Sequence, residues 1–197
     1  GTGYFAAGSM ADLDAHAITG LMRYKFENNF SVHGGIRVQS IEATAAVPFI
    51  PSGPYNVSGE RDIGIGYVAG VAYERPDIAL RVALTYNQTN ETSALGANSS
   101  ITQIETPQSV NLDFQTGVAQ DTLLFGGIRW VEWSEFDITP ADYQVVSGGA
   151  SLVSYDNDVF SYSLGVGRRL SETWSVSASV GYEKSNGGFA SNLGPTD

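Results

Sequence analysis

Four arginines, Arg37, Arg81, Arg129 and Arg169, fall on one parity of the period-two stretches that contain them. A guanidinium held on one face of a strand is a planar fork of donors suited to a carboxylate. Arg37 and Arg129 are the candidate ligand contacts, and Leu123, Phe125 and Val131 share the parity of Arg129 and could line an alkyl tail. Arg81 and Arg169 lie within a few residues of tight joins, where they suit bracing or an exit. The bland alternative for the set is a bracing network with Asp113 and Glu183, because inward charges usually pair. Catalysis has little to stand on. His16 and His33 fall on opposite parities, no acid lies near His33 in sequence, and a Ser-His-Asp set is defined by geometry that no motif here suggests. Two His and no Cys do not make a transition-metal site. The stretch Asp156-Asn157-Asp158 has Ca²⁺-type ligands but lacks the other spaced ones and reads as loop. With no nucleotide-binding loop either, the expectation is a protein that is not an enzyme and has no cofactor or metal.

What must position these residues is a set of eight alternating stretches joined by short and long connections in strict rotation. The short ones are Glu27-Asn28-Asn29, Glu74-Arg75-Pro76-Asp77, Gln120-Asp121 and Ser171-Glu172-Thr173. The long ones, Thr44 to Glu60, Thr92 to Thr106 and Thr139 to Asn157, are polar and carry Gly, Ser or Pro. Strands of about ten residues with short turns at one end and long loops at the other are the pattern of transmembrane β-barrels. Composition agrees: 23 Gly, 10 Tyr, 9 Phe and 16% charged residues fit neither a helical bundle nor a disordered tail. No apolar run approaches the ~18 residues of a spanning helix, so a membrane location would require strands. A net charge of −11 excludes a nucleic-acid partner, whose phosphates demand clustered Lys and Arg. Zero Cys excludes disulfides. Gly1 to Ala11 lacks the basic start and apolar core of a signal peptide.

One parity of each stretch is apolar and the other polar or small. Trp174, Val176, Ala178, Val180 and Tyr182 oppose Ser175, Ser177, Ser179, Gly181 and Glu183, while Leu80, Val82 and Leu84 oppose Arg81, Ala83 and Thr85. Phe30, Val32, Ile36 and Val38 oppose Ser31, His33, Arg37 and Gln39. A soluble sandwich could alternate in this way, but bands of aromatics at strand ends favour a wall between two water interfaces. Tyr24, Phe26, Phe30, Tyr73 and Trp174 mark the short-turn end, and Tyr86, Trp130, Trp133, Tyr162 and Tyr182 the long-loop end. Keeping apolar faces together predicts the pairs Phe26 to Phe30, Tyr24 to Val32, Met22 to Gly34, Tyr73 to Ile78, Val71 to Leu80 and Leu170 to Trp174. At Gln120-Asp121 a strict two-residue loop would set Val118 against Leu123, on opposite faces, so that connection must enlist a neighbour. The expected fold class is all-β, an antiparallel up-and-down transmembrane barrel segment forming a single partial domain over residues 1–197. Starting and ending in loop-like sequence on the long-loop side, it should expose two unpaired edges, near Leu13 and Asn186.

The stretch "LRVALTYNQ", a long loop, then "TPQSVNLDFQTGVAQDTLLFGGIRWVEWSEFDI" resembles the FadL/TodX family of outer-membrane long-chain fatty acid transporters. The W-x-x-W-S-x-F pattern falls on Trp130, Trp133, Ser134 and Phe136, and "FSYSLGVGRRLSETWSVSASVGYEKS" is similar to the next hairpin. After Tyr182 the chain departs from the family, reading Glu183-Lys184-Ser185-Asn186. The resemblance runs over about residues 15 to 190. It implies a 14-stranded monomeric barrel in the outer membrane of a Gram-negative cell, with an N-terminal plug and terminal strands not evident here. Its implied partners are a hydrophobic small-molecule ligand such as a fatty acid, and outer-membrane lipid. The alternatives are a structural or adhesive barrel and a general diffusion porin.

Overall fold

The structure is a computed structural model that describes residues 10–47, 55–58, 62–88, 91–93, 103–149, 151 and 153–184. Eight long strands form its wall: β1 (Met10–Lys25), β2 (Phe30–Val47), β3 (Asp62–Arg75), β4 (Leu80–Gln88), β5 (Ser109–Ala119), β6 (Thr122–Val131), β7 (Val159–Arg169) and β8 (Ser175–Glu183). Each pairs antiparallel with the next in chain order. Among the described residues the outer edges of β1 and β8 are unpaired. Among those residues no helix is long and apolar enough to cross a membrane.

Burial is inverted relative to a water-soluble protein. Ile18, Met22 and Val180 are 80%, 83% and 73% exposed, and Val32, Ile36, Val71, Leu84, Leu164 and Val176 are exposed with them. The opposite parity holds the buried positions, small or polar in the main: Ser31, Gly64, Gly66, Ala72, Ala83, Ser109 and Gly165. A twisted sheet that curls crowds its concave side, so small residues belong there and the bulky apolar ones on the outside. Leaving a large aliphatic side chain in water forgoes about 1.5–3 kcal/mol, so this continuous outer face calls for an apolar solvent. Its aromatics gather toward the strand ends as the alternation predicted. Tyr24 meets Phe26 edge-on at 4.9 Å, Phe30 meets Tyr73 at 4.9 Å, and Tyr162 stacks on Tyr182 at 6.4 Å. Trp174, which immediately precedes β8, and Tyr182 near its end are eight residues apart, about 27 Å of extended chain or roughly 20 Å of height at a barrel-like tilt.

The short turns show what face-matching decides and what it leaves open. In the first hairpin Tyr24 pairs with Val32 and Met22 with Gly34, and the Phe26 N–H donates to the Phe30 carbonyl at 2.8 Å, as expected. In the second, the expected Tyr73–Ile78 and Val71–Leu80 pairs are replaced by Tyr73–Val82 and Val71–Leu84. Parity is kept, but the register moves by two pairs, because Pro76–Ile78 forms a 3₁₀ turn closed by Ala79 at φ 52°, whose N–H donates to the Pro76 carbonyl. Arg75 and Asp77 clamp that turn with a 2.6 Å ion pair. At Gln120-Asp121 the two-residue loop does form, with Asp121 at φ 56°. The conflict at Val118 is relieved inside the strand: Ala119 faces Thr122, Gly117 faces Leu123, and Val118 is the extra residue of a bulge. In the fourth turn the Leu170 N–H reaches the Trp174 carbonyl at 2.9 Å, as expected.

The long connections carry structure of their own. Tyr55–Ser58 pairs back on Thr44–Val47, so β2 runs past the expected loop start. Glu91–Ser93 pairs with Gln103–Glu105, and Asp137–Ile138 with Val153–Ser154 around helix α1 (Ala141–Ser147). β6 stops at Val131, and Trp133–Glu135 turns as a 3₁₀ segment. Trp133 therefore packs within the loop, 5.4 Å from Phe136 and 5.1 Å from Tyr155, instead of standing in the outer belt. The loop expected after Asn186 lies outside the described residues.

Candidate functional site

The inner face is read most easily along rows of directly opposed residues. One row runs Arg23, His33, Gly70, Thr85, Asn111, Arg129, Ser161 and Glu183. Arg129 is thus opposite Asn111, and Asp113 is opposite Gly127. Arg129 is exposed and enters none of the ion pairs found among the described residues. Its neighbour Ser161 donates its hydroxyl to Glu183, and the Asp113 carboxylate leans over Gly127, 3.0 Å from where a Cβ would stand there. The row therefore leaves one cation without a partnered acid. Gly70 is required: the His33 ring lies 2.4 Å from the position of an added Cβ, and His33 Nε2 hydrogen-bonds Thr85 Oγ1 at 3.0 Å.

A second row, nearer the short turns, runs Glu74, Arg81, Gln115, Phe125, Gly165 and Ser179. The Phe125 ring lies over Gly165, 2.6 Å from a hypothetical Cβ, so only glycine admits it. Next to it, Leu123 faces Gly117 and Gly167. These small residues open a hollow of about 650 Å³ whose lining includes Leu123, Phe125, Gly117 and Gly167 together with the charged Asp121, Arg168 and Arg169. Val131 is placed elsewhere, buried between Ser109 and Val159 toward the long loops. Arg37 sits on β2, four strands from Arg129 or about 19 Å around the wall, with its Nε on Thr19 Oγ1 at 3.1 Å. Leu123 and Phe125 thus line the hollow together, Arg129 and Val131 stand farther along the same strand toward the long loops, and Arg37 lies across the wall from all four.

The bracing partners differ from those expected. Arg81 pairs with Glu74 at 3.3 Å, and Arg169 with Asp121 at 2.5 Å, in place of Asp113 and Glu183. Register explains both. Glu74 directly opposes Arg81, and the Arg169 N–H donates to the Asp121 carbonyl, holding the β5–β6 turn against β7. Glu74 also takes Arg23 at 2.6 Å and Lys25 at 3.3 Å. That convergence escaped sequence reading, although the shared inner parity of Arg23 and Lys25 was a usable signal.

At the opposite end the W-x-x-W-S-x-F residues fasten the third long loop. Trp130 Nε1–H donates to Asp158 at 3.0 Å, and Ser134 donates to it through its hydroxyl at 2.6 Å and its backbone N–H at 3.3 Å. Burial acts to raise the Asp158 pKa, but the Ser134 and Trp130 hydrogen bonds outweigh it and hold the carboxyl below its ordinary value. Desolvation raises the pKa of Tyr155, which packs on Trp133 and Phe136. Asp158, read from sequence as part of a loose acidic stretch, is the acceptor on which this end converges. Among the described residues no group of three metal ligands gathers.

No protein-family model and no curated protein matches the chain. Solved structures do. The chain is similar to the CymD monoaromatic hydrocarbon channel, at 14% identity and a TM-score of 0.65, over 88% of this chain and 60% of that one. It is also similar to a FadL homologue of Pseudomonas aeruginosa, at 15% identity and a TM-score of 0.67, over 88% of this chain and 50% of that one. The chain thus spans about half to three-fifths of these proteins. An eight-strand antiparallel meander with an apolar outer face and a small, polar inner face therefore has the fold of FadL-like outer-membrane barrels, and corresponds to a stretch of their wall.

Proposed function

We propose that the protein is a member of the FadL/TodX family that sits as a monomer in the outer membrane of a Gram-negative cell and admits hydrophobic small molecules by passive diffusion. Residues 1–197 act as one partial wall domain, completed by further strands and a plug. The observation that carries the reading is the inverted wall: exposed aliphatics cover the outer face, while the inner face holds a hollow with Leu123 and Phe125 in its lining, beneath an arginine that has no acid partner among the described residues. Long-chain fatty acids are the proposed ligands. Arg129 receives the carboxylate, and the tail descends about 13 Å to Phe125 and about 20 Å to Leu123 along the same strand. Arg37 and Val131, nearer the long loops, lie on the approach to that position.

Arg129→Ala in the full-length protein tests this. Losing one charge-assisted hydrogen bond should weaken a long-chain carboxylate by about 1.5–3 kcal/mol, roughly 13- to 160-fold, while leaving an uncharged hydrocarbon unaffected. Equal fatty-acid binding by a folded Arg129→Ala would assign the residue to bracing the wall and not to ligand recognition.

A further inference from the structure

The inner face near the first short turns holds three cations around one acid. Arg23 Nη2 lies 2.6 Å from Glu74 Oε1, Lys25 Nζ 3.3 Å from Oε2, and Arg81 Nε 3.3 Å from Oε1. Their side chains are half-exposed, whereas Glu74 is largely covered beneath them. Bracing needs one cation per acid, as Arg169 and Asp121 show on the same face. Here three positive charges meet one negative, a surplus of two. The nearest further acid on β5, Asp113, leans away over Gly127 and makes no ion pair with Arg81; the residue facing Arg81 on that strand is neutral Gln115. Arg81 approaches Glu74 through Nε, which leaves its terminal nitrogens free of that contact. Chain-wide the balance is −11, so this surplus stands against the prevailing sign.

Register adds the second element. Arg81, Gln115 and Phe125 are successive members of one row, so Arg81 sits two strands, about 10 Å, from the ring that opens the hollow, with Arg23 and Lys25 gathered behind it on Glu74. We infer that Arg23, Lys25 and Arg81, splayed over Glu74, form an anion-binding station at the short-turn end of the lumen. It takes the carboxylate of an amphiphile whose alkyl chain lies over Phe125 and Leu123. This rests on the hydrophobic-channel reading and is separate from Arg129. Glu74 serves as the positioning residue that holds three mutually repelling cations together, and the incoming carboxylate meets the uncompensated charge.

Dodecanoate, dodecanol and acetate, titrated against the full-length protein carrying Arg129→Ala, separate the contributions. Arg81→Gln on that background should weaken dodecanoate about tenfold or more and leave dodecanol unchanged, and Arg81→Lys should restore most of the loss. Acetate should compete with dodecanoate and not with dodecanol. If Arg81→Gln fails to fold, Lys25→Gln, at the strand's end, carries the same expectation. Dodecanoate binding that ignores both substitutions while dodecanol still binds would overturn the station and leave the channel intact. Binding of neither amphiphile by the unsubstituted protein would overturn both.

Discussion

Leu164 stands at the middle of β7 on the exposed apolar face, flanked by Gly126 on β6 and Val180 on β8. If that face meets lipid, Leu164→Arg puts a guanidinium near mid-membrane, where a lipid-facing Arg costs about 2–4 kcal/mol. Its long side chain can snorkel only part of the way, because the strand continues for five residues on either side. The adjacent position supplies the control. Ser163 is flanked by Gly127 and Gly181 on the inner face, and the Asp113 carboxylate already leans over Gly127. Ser163→Arg therefore adds the same charge to the same strand, with space around it and an acid in reach, and should cost about 1 kcal/mol or less. Urea titration of the full-length protein in phospholipid vesicles would read both. A shift of about 2–4 kcal/mol, roughly 30- to 900-fold in the folding equilibrium, is expected for Leu164→Arg alone. Equal costs for the two variants, or a larger one for Ser163→Arg, would refute the assignment of faces and with it the membrane reading.

Two further outcomes follow from the turns and loops. Asp158 has a folded-state pKa below its ordinary 3.8, so its contribution is fully present above that value and is lost as pH falls through the lower folded-state pKa. Emission from Trp130 and Trp133 should accordingly change in acid below about pH 4 in the wild type, and a pH-independent signal matching Asp158→Asn would disprove the anchor. Deleting Val118 removes the bulge yet keeps Ala119 opposite Thr122 and Gly117 opposite Leu123, so far-UV circular dichroism and melting should change little, whereas deleting Leu124 inverts the inner face of β6 on one side and should block folding. Similar tolerance of both deletions would show that register is not held by the faces.

How much was legible divides along a physical line. Alternation is a local property, since consecutive side chains of a strand point to opposite faces wherever the strand goes. The eight strands, their antiparallel order, the outward Val176 and Leu84, and the inward Arg37, Arg81, Arg129 and Arg169 were therefore readable from one chain of letters. Parity alone admits every register that differs by two residues, and turn geometry chooses among them. The choice at Pro76 moved Val71 from Leu80 to Leu84 and so decided that Arg81 would oppose Glu74. The bulge at Val118 fixed Arg129 opposite Asn111 and not opposite Asp113. Partnerships such as Arg23 with Glu74, 51 residues apart, or Trp130 with Asp158, 28 apart, depend on rows assembled from several strands, and no local pattern encodes them. The sequence by itself determined which side chains face outward and which face inward, because that is set by the pleat. Only the tertiary structure decided which inward charges cancel and which remain for a ligand, because that is set by register accumulated across the sheet.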